Sequence, residues 1–126
     1  MKSFTKIYNI KASKKVIYNA LTNSSIIEKW SGSKTIMTSK NGSTFSLWDG
    51  SIHGKNIKIS KNEIIQDWKE ENWIKFSQVS FKIIDKGYSC QVLLTHNNIP
   101  DKSFKSIKNG WDKYYMKPLI KLVENK

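Results

Sequence analysis

Five side chains in this 126-residue sequence could do chemistry: His53, His96, Cys90, Glu28 and Asp67. The two histidines lie far apart, and neither has a cysteine or acid at ligand spacing, so no metal is expected. Cys90 and His96 suggest a nucleophile with its base, a pairing that needs hydrogen-bond contact. Six residues along one strand separate them by about 20 Å at roughly 3.3 Å per residue, which excludes direct contact. Glu28, beside Trp30, and Asp67, beside Trp68, are lone acids that read as solvated rather than as general bases. No phosphate-cradling glycine loop, Ser-His-Asp order or nucleotide fingerprint occurs. The expectation is a protein that is not an enzyme and carries neither metal nor cofactor.

Charge points toward partners instead. The net charge is +12, and all 22 basic residues are lysines. Arginine supplies the bidentate fork to guanine and stacks on bases, so its absence argues against nucleic acid. Abundant Lys, Asn and Ile together fit coding in an AT-rich genome, yet the charge still draws the protein toward acidic surfaces. No apolar run approaches the ~20 residues of a membrane span. The basic C-terminal helix could lie on a membrane surface, but its apolar stripe is needed to cover the sheet. One cysteine, Cys90, rules out an internal disulfide and fits a reducing compartment. The N-terminal MKSFTKIYNIKAS lacks the apolar core of a signal peptide. The expectation is one cytoplasmic domain over residues 1–126.

The elements that must position these residues follow from periodicity. Ser3 to Ile10 alternates as a first strand. Ser13 is an N-cap before Val16, Ile17, Ala20 and Leu21 at helical spacing. Thr22 or Asn23 caps a second short helix carrying Ile26, Ile27 and Trp30, which Gly32 ends. From there the period is two, with strands expected at Thr35–Ser39, Thr44–Trp48, Ile52–Ser60, Glu63–Lys69, Trp73–Ile84 and Tyr88–His96. Asp49-Gly50 signals a two-residue type I′ turn. A phase slip after Phe76 predicts a β-bulge in the long strand. On the last strand Tyr88, Cys90, Val92 and Leu94 are expected to point inward, making Cys90 a small buried hydrophobe. Phe104, Ile107, Trp111, Tyr114/Tyr115, Leu119 and Leu122 then mark a long amphipathic helix. Gly110 inside it suggests close approach to another backbone, and Pro118 a kink or a second segment.

This order is α+β: about seven antiparallel strands curved around a long C-terminal helix, with two short helices after the first strand, a helix-grip. Such a grip leaves room for a cavity, for which Ile27, Trp30, Phe45, Leu47, Trp68, Phe76, Cys90, Trp111 and Tyr115 are candidate lining. Lys55, Lys58, Lys61 and Lys69 are candidate partner-facing residues.

The residues also carry a family resemblance. GSTFSLWDGSIHGKNIKISKNEIIQDWK, followed by LLTHNNIP and NGWDKYYMKPL, resembles the family of activator of heat-shock protein 90 ATPase homologues, in order and over essentially the whole chain. The resemblance implies the START-like helix-grip superfamily, whose members often hold apolar ligands or contact partner proteins. It implies a heat-shock protein 90-type chaperone as partner and stimulation of its ATP hydrolysis as function, with an apolar small molecule as the alternative. In the eukaryotic activators this module is the second of two domains. The first carries an Asn-x-Trp-x-Trp motif that Asn72-Trp73-Ile74 does not supply, so weaker one-site binding is expected.

Overall fold

The polypeptide builds one antiparallel sheet and lays its C-terminal rod across it. A computed structural model describes residues 1–125. The strands are β1 (Lys2–Ile10), β2 (Thr44–Leu47), β3 (Ile52–Ile59), β4 (Glu63–Glu70), β5 (Ser77–Asp85) and β6 (Cys90–Ile99). Their order across the sheet is β1-β6-β5-β4-β3-β2. Helices α1 (Lys14–Thr22) and α2 (Ser24–Ser31) follow β1. The rod runs through a 3₁₀ turn (Asp101–Ser103), α3 (Phe104–Gly110), a π-helical segment (Trp111–Met116) and α4 (Lys117–Glu124). The helix-grip expected from periodicity is the fold.

Among the described residues six strands form, not seven. The stretch expected as a strand at Thr35–Ser39 makes only an isolated bridge, Ile36 to Ser46. The polar groups of Thr35 are spent locally: its N–H donates to Glu28 Oε2 at 3.0 Å, and its hydroxyl donates to the Ser33 carbonyl. The Asp49-Gly50 turn is also longer than two residues. The last β2–β3 pair is Leu47 with Ile52, leaving a four-residue loop in which Trp48, Asp49 and Gly50 all take positive φ, 50°, 54° and 96°. Left-handed backbone at Trp48 and Asp49 costs on the order of 1–2 kcal/mol per residue.

The expected bulge after Phe76 is instead the end of a strand. β5 begins at Ser77 and pairs with β4 without a register shift, from Trp68↔Ser77 to Glu63↔Lys82. Trp73 turns in against Trp68, Ile74 is 95% exposed, and Phe76 lies outside the core. The shifts that do occur lie between Lys2 and Phe4 and between Asn56 and Lys58. At the second, buried Asn56 is satisfied by Gln66 (3.0 Å) and Ser43 (3.1 Å). On β6 Cys90, Val92 and Leu94 are buried as expected, whereas Tyr88, before the strand, is fully exposed.

Asn23 serves two helices: its N–H closes α1, and its side chain accepts the Ile26 N–H at 3.1 Å to open α2. Asn23→Ala is expected to cost about 1 kcal/mol, read as a lower urea midpoint with an unchanged slope. A slope change would mean the cap acts on the compactness of the denatured chain instead.

The rod solves a geometric problem. Ile107, Trp111, Tyr115, Leu119 and Val123 are all buried, at strict four-residue spacing. An α-helix turns about 100° per residue, so each such step overshoots by about 40°, and four steps would carry the stripe off the sheet. The π-segment widens the turn: the Lys117 N–H bonds the Asp112 carbonyl five residues back. Pro118 stands in the first turn of α4, so it opens a second segment. Gly110 is not a point of close approach, since a Cβ there would meet only the Tyr114 ring at 3.7 Å.

Candidate functional site

Where the rod crosses the sheet, aromatic rings pack in continuous contact. Trp68 on β4 stacks on Trp111 at 5.6 Å between centroids, and Trp111 meets Tyr115 at 4.5 Å. Tyr115 continues to Trp30 at 4.7 Å and to Phe81 at 5.8 Å. Trp48, held in left-handed backbone, closes the row against Trp30 and Tyr115. Burial of apolar area at about 25 cal/mol per Å² makes this row a main source of stability.

The row does not fill the space. A cavity of about 410 Å³ remains, walled by Trp48, Ile52, Trp68, Ile107, Trp111 and Tyr115. Ser51, Ser106, Gly110 and Tyr114 complete its lining, and the exposure of Ser51, Ser106 and Tyr114 marks the mouth. That volume lies within the range of small-molecule sites, a few hundred Å³ upward. Trp68 is 3% exposed, and its indole N–H has no hydrogen-bond acceptor among the described residues. An unpaired buried donor costs about 1–3 kcal/mol. Burial alone pushes the Tyr115 hydroxyl above the usual phenol range, so it stays protonated.

Beside the cavity lies a polar relay. The Trp111 indole N–H donates to His96 Nδ1 at 2.9 Å. That fixes the imidazole proton on Nε2, which donates to Ser77 Oγ at 2.8 Å, and the Ser77 hydroxyl donates to the Trp68 carbonyl. One chain of donors thus ties the rod to β6, β5 and β4. Burial pulls the His96 pKa from 6.5 down to about 3, so the ring is neutral.

Of the residues named from sequence, Trp68, Trp111 and Tyr115 come together at the cavity. Ile27, Trp30, Phe45, Leu47 and Cys90 are buried in the surrounding core and do not line it. Phe76 is a correction: it is 46% exposed, set edge-on to His53 and under Lys69. It belongs to the approach to β5, where the chain leaves the turn. Burial raises the Cys90 thiol, which keeps it protonated. Glu28 caps the loop at Thr35. Ser77, Ile52 and Trp48 were missed. Ser77 has no signal of its own, because its partners come from β4 and β6. Trp48 had one, an aromatic breaking the polar alternation of β2.

The lysines named from the β3–β4 hairpin are largely engaged. Lys58 pairs with Glu63 at 3.1 Å, Lys69 Nζ donates to the Trp73 carbonyl at 2.8 Å, and Lys55 stands opposite Asp67 in register. Lys61 is exposed in the connecting turn.

Residues 11–124 match the model of the Activator of Hsp90 ATPase homolog 1-like protein family. The mouse protein Activator of 90 kDa heat shock protein ATPase homolog 2 is 22% identical over 111 residues, 86% of this chain and 34% of its own length. A Dictyostelium discoideum Activator of 90 kDa heat shock protein ATPase homolog is 30% identical over 98 residues, 75% of this chain and 26% of its own. The chain therefore spans about a quarter to a third of the curated relatives it matches. Among solved structures, an HSP90 activator from Plasmodium falciparum superposes with a TM-score of 0.90 at 28% identity, covering 97% of this chain and 96% of that one. The Aha1 dimer from Colwellia psychrerythraea shares the fold, with a TM-score of 0.82 at 22% identity over 98% and 97% of the two chains. With the family model spanning both short helices, all but the first strand of the sheet and the whole rod, the chain belongs to the Activator of Hsp90 ATPase homolog 1-like family.

Proposed function

We propose that this chain is an interaction module that engages a heat-shock protein 90-type chaperone and raises its rate of ATP hydrolysis. The observation that carries this reading is the likeness to the Plasmodium protein named as an HSP90 activator, which runs over nearly the full length of both chains. The basic balance supports it, since +12 favours an acidic partner and a fast, salt-sensitive encounter. A single buried free cysteine supports a cytoplasmic setting. Among the described residues no helix is long and apolar enough to cross a membrane. The test is the ATP turnover of such a chaperone with and without this protein, at low and moderate salt. Unchanged turnover at every ratio, with no complex by light scattering, overturns the reading.

A second reading is favoured by the cavity: an apolar small molecule held between rod and sheet, the buried Trp68 N–H offering it a donor. Tryptophan emission should then change on titration with 1-anilinonaphthalene-8-sulfonate as a lipophilic probe. Gly110→Leu places a side chain at the cavity wall where the backbone is helical, φ −64°. It should weaken the probe at least about tenfold while stability holds or rises, since Gly costs up to about 1 kcal/mol in a helix. Equal probe binding by both proteins removes this reading.

A further inference from the structure

We infer that the solvent face of the rod, centred on Tyr114, is the surface that meets an acidic protein partner, an inference that rests on the chaperone reading above and gives it a location. Six exposed lysines line residues 101–124: Lys102, Lys105, Lys108, Lys113, Lys117 and Lys121. The three acids of the same stretch are already engaged elsewhere. Asp101 pairs with the N-terminal ammonium at 2.9 Å. Asp112 takes Lys6 Nζ at 2.7 Å and the Tyr8 hydroxyl at 2.5 Å. Glu124 accepts the Lys11 N–H at 2.9 Å. No ion pair to a rod lysine occurs among the described residues; Lys117 only comes within Coulombic range of Asp112.

The π-segment brings the two sets of lysines closer to one face. Lys102, Lys105 and Lys108 follow at three-residue spacing, and Lys113, Lys117 and Lys121 at four. In an unbroken α-helix the five-residue step from Lys108 to Lys113 would turn the second set about 140° from the first. The wider turn that begins at Trp111 narrows that angle. In the middle stands Tyr114, 58% exposed, with Lys113 Nζ 5.3 Å from its ring centre. An exposed tyrosine among exposed lysines has the makeup of an interface anchor with a charged rim.

The chemistry selects a protein partner. Phosphodiester recognition would favour arginine, and the chain has none. Membrane insertion needs an outward apolar stripe, but Ile107, Trp111, Tyr115, Leu119 and Val123 face the sheet. On the β3–β4 hairpin Lys58 is committed to Glu63 and Lys69 to the Trp73 carbonyl, and Lys55 lies opposite the acid Asp67 in register, which leaves Lys61 in the turn, a sparser set than the six of the rod.

Two triple variants lower the net charge equally and separate location from charge. One is Lys105→Glu, Lys108→Glu and Lys113→Glu on the rod; the other is Lys55→Glu, Lys82→Glu and Lys86→Glu on the strands and their turn. All six are exposed, and circular dichroism checks that each variant is folded. Affinity for the full-length chaperone should fall at least about tenfold for the rod triple and less than about threefold for the other, with a flatter salt dependence only for the rod. Tyr114→Ala should lose about five- to tenfold with the salt dependence kept. Equal losses in both triples, or a larger loss on the strands, overturn the inference. If the unmodified chain binds no chaperone, the proposed function fails separately, and a 20-residue polyglutamate peptide replaces it as probe, with the same ranking required. Tighter binding to phosphatidylserine vesicles than to that peptide also overturns it.

Discussion

Gly54→Ala will strip more than about 4 kcal/mol of stability from this fold. A Cβ at Gly54 would stand 1.7 Å from the Asp67 carbonyl oxygen, 2.7 Å from its carbon and 3.0 Å from Phe45 Cε2. Two of those atoms are backbone of β4, so no rotamer change relieves the clash. β3 lies between β2 and β4, with Gly54 opposite Phe45 on one side and Trp68 on the other. Making room therefore moves the β3–β4 ladder and with it the wall of the cavity. Overpacking a core commonly costs about 1–3 kcal/mol, and a backbone collision belongs in the tail beyond about 4 kcal/mol. A domain of ordinary stability has only about 5–15 kcal/mol to lose. Urea denaturation followed by circular dichroism measures it. Gly110→Ala is the matched control and should hold or gain stability, because its Cβ meets nothing closer than 3.7 Å. A Gly54→Ala midpoint within about 1 kcal/mol of the unmodified chain would mean the strands separate more freely than their register implies.

That pair of glycines shows what the sequence could and could not disclose. Gly110 attracted notice because glycine is costly in a helix, a local rule. The crowding at Gly54 comes from a neighbouring strand, two residues from a register shift at Asn56/Lys58, and no local pattern carries it. The same division runs through the fold. Period two found β2 to β6 but also ran through Trp73 to Phe76, where alternation persists in a turn and the side chains part, Trp73 inward and Ile74 outward. Helical spacing put Trp111 and Tyr115 on the buried face. It did not show that strict four-residue spacing demands a π-segment. For the site, aromatic content made Trp68, Trp111 and Tyr115 legible. The His96 relay was not, because it joins residues from three strands and the rod.

The relay sets the second large effect, on pH. In the unfolded chain His96 takes up a proton near pH 6.5, whereas in the fold burial holds its pKa at about 3. Between those values the unfolded state binds the extra proton, so stability must fall as pH falls. The penalty grows by about 1.4 kcal/mol per pH unit, reaching about 2 kcal/mol at pH 5 and roughly 4 kcal/mol near pH 3. Among the described residues nothing charged offsets it. The ring meets Trp68 at 4.8 Å, Trp111 at 5.8 Å and Phe4 at 6.2 Å, and both nitrogens are already bonded. A proton on Nδ1 would face the Trp111 N–H donor to donor and release the rod from the sheet. The carboxylates held low by partners, Asp101 and Asp112, lose their stabilisation only below the ordinary carboxylate range. Glu70, whose carboxyl burial raises, works in the opposite sense as pH falls, so the histidine's share is read as the difference between the unmodified chain and a variant without it. Urea midpoints from pH 7 to 5 should drop for the unmodified chain. His96→Gln keeps an acceptor for Trp111 and a donor for Ser77 but does not titrate, so its midpoint should start lower and stay nearly level. Parallel slopes for the two proteins would show that His96 is not what makes this fold acid-sensitive.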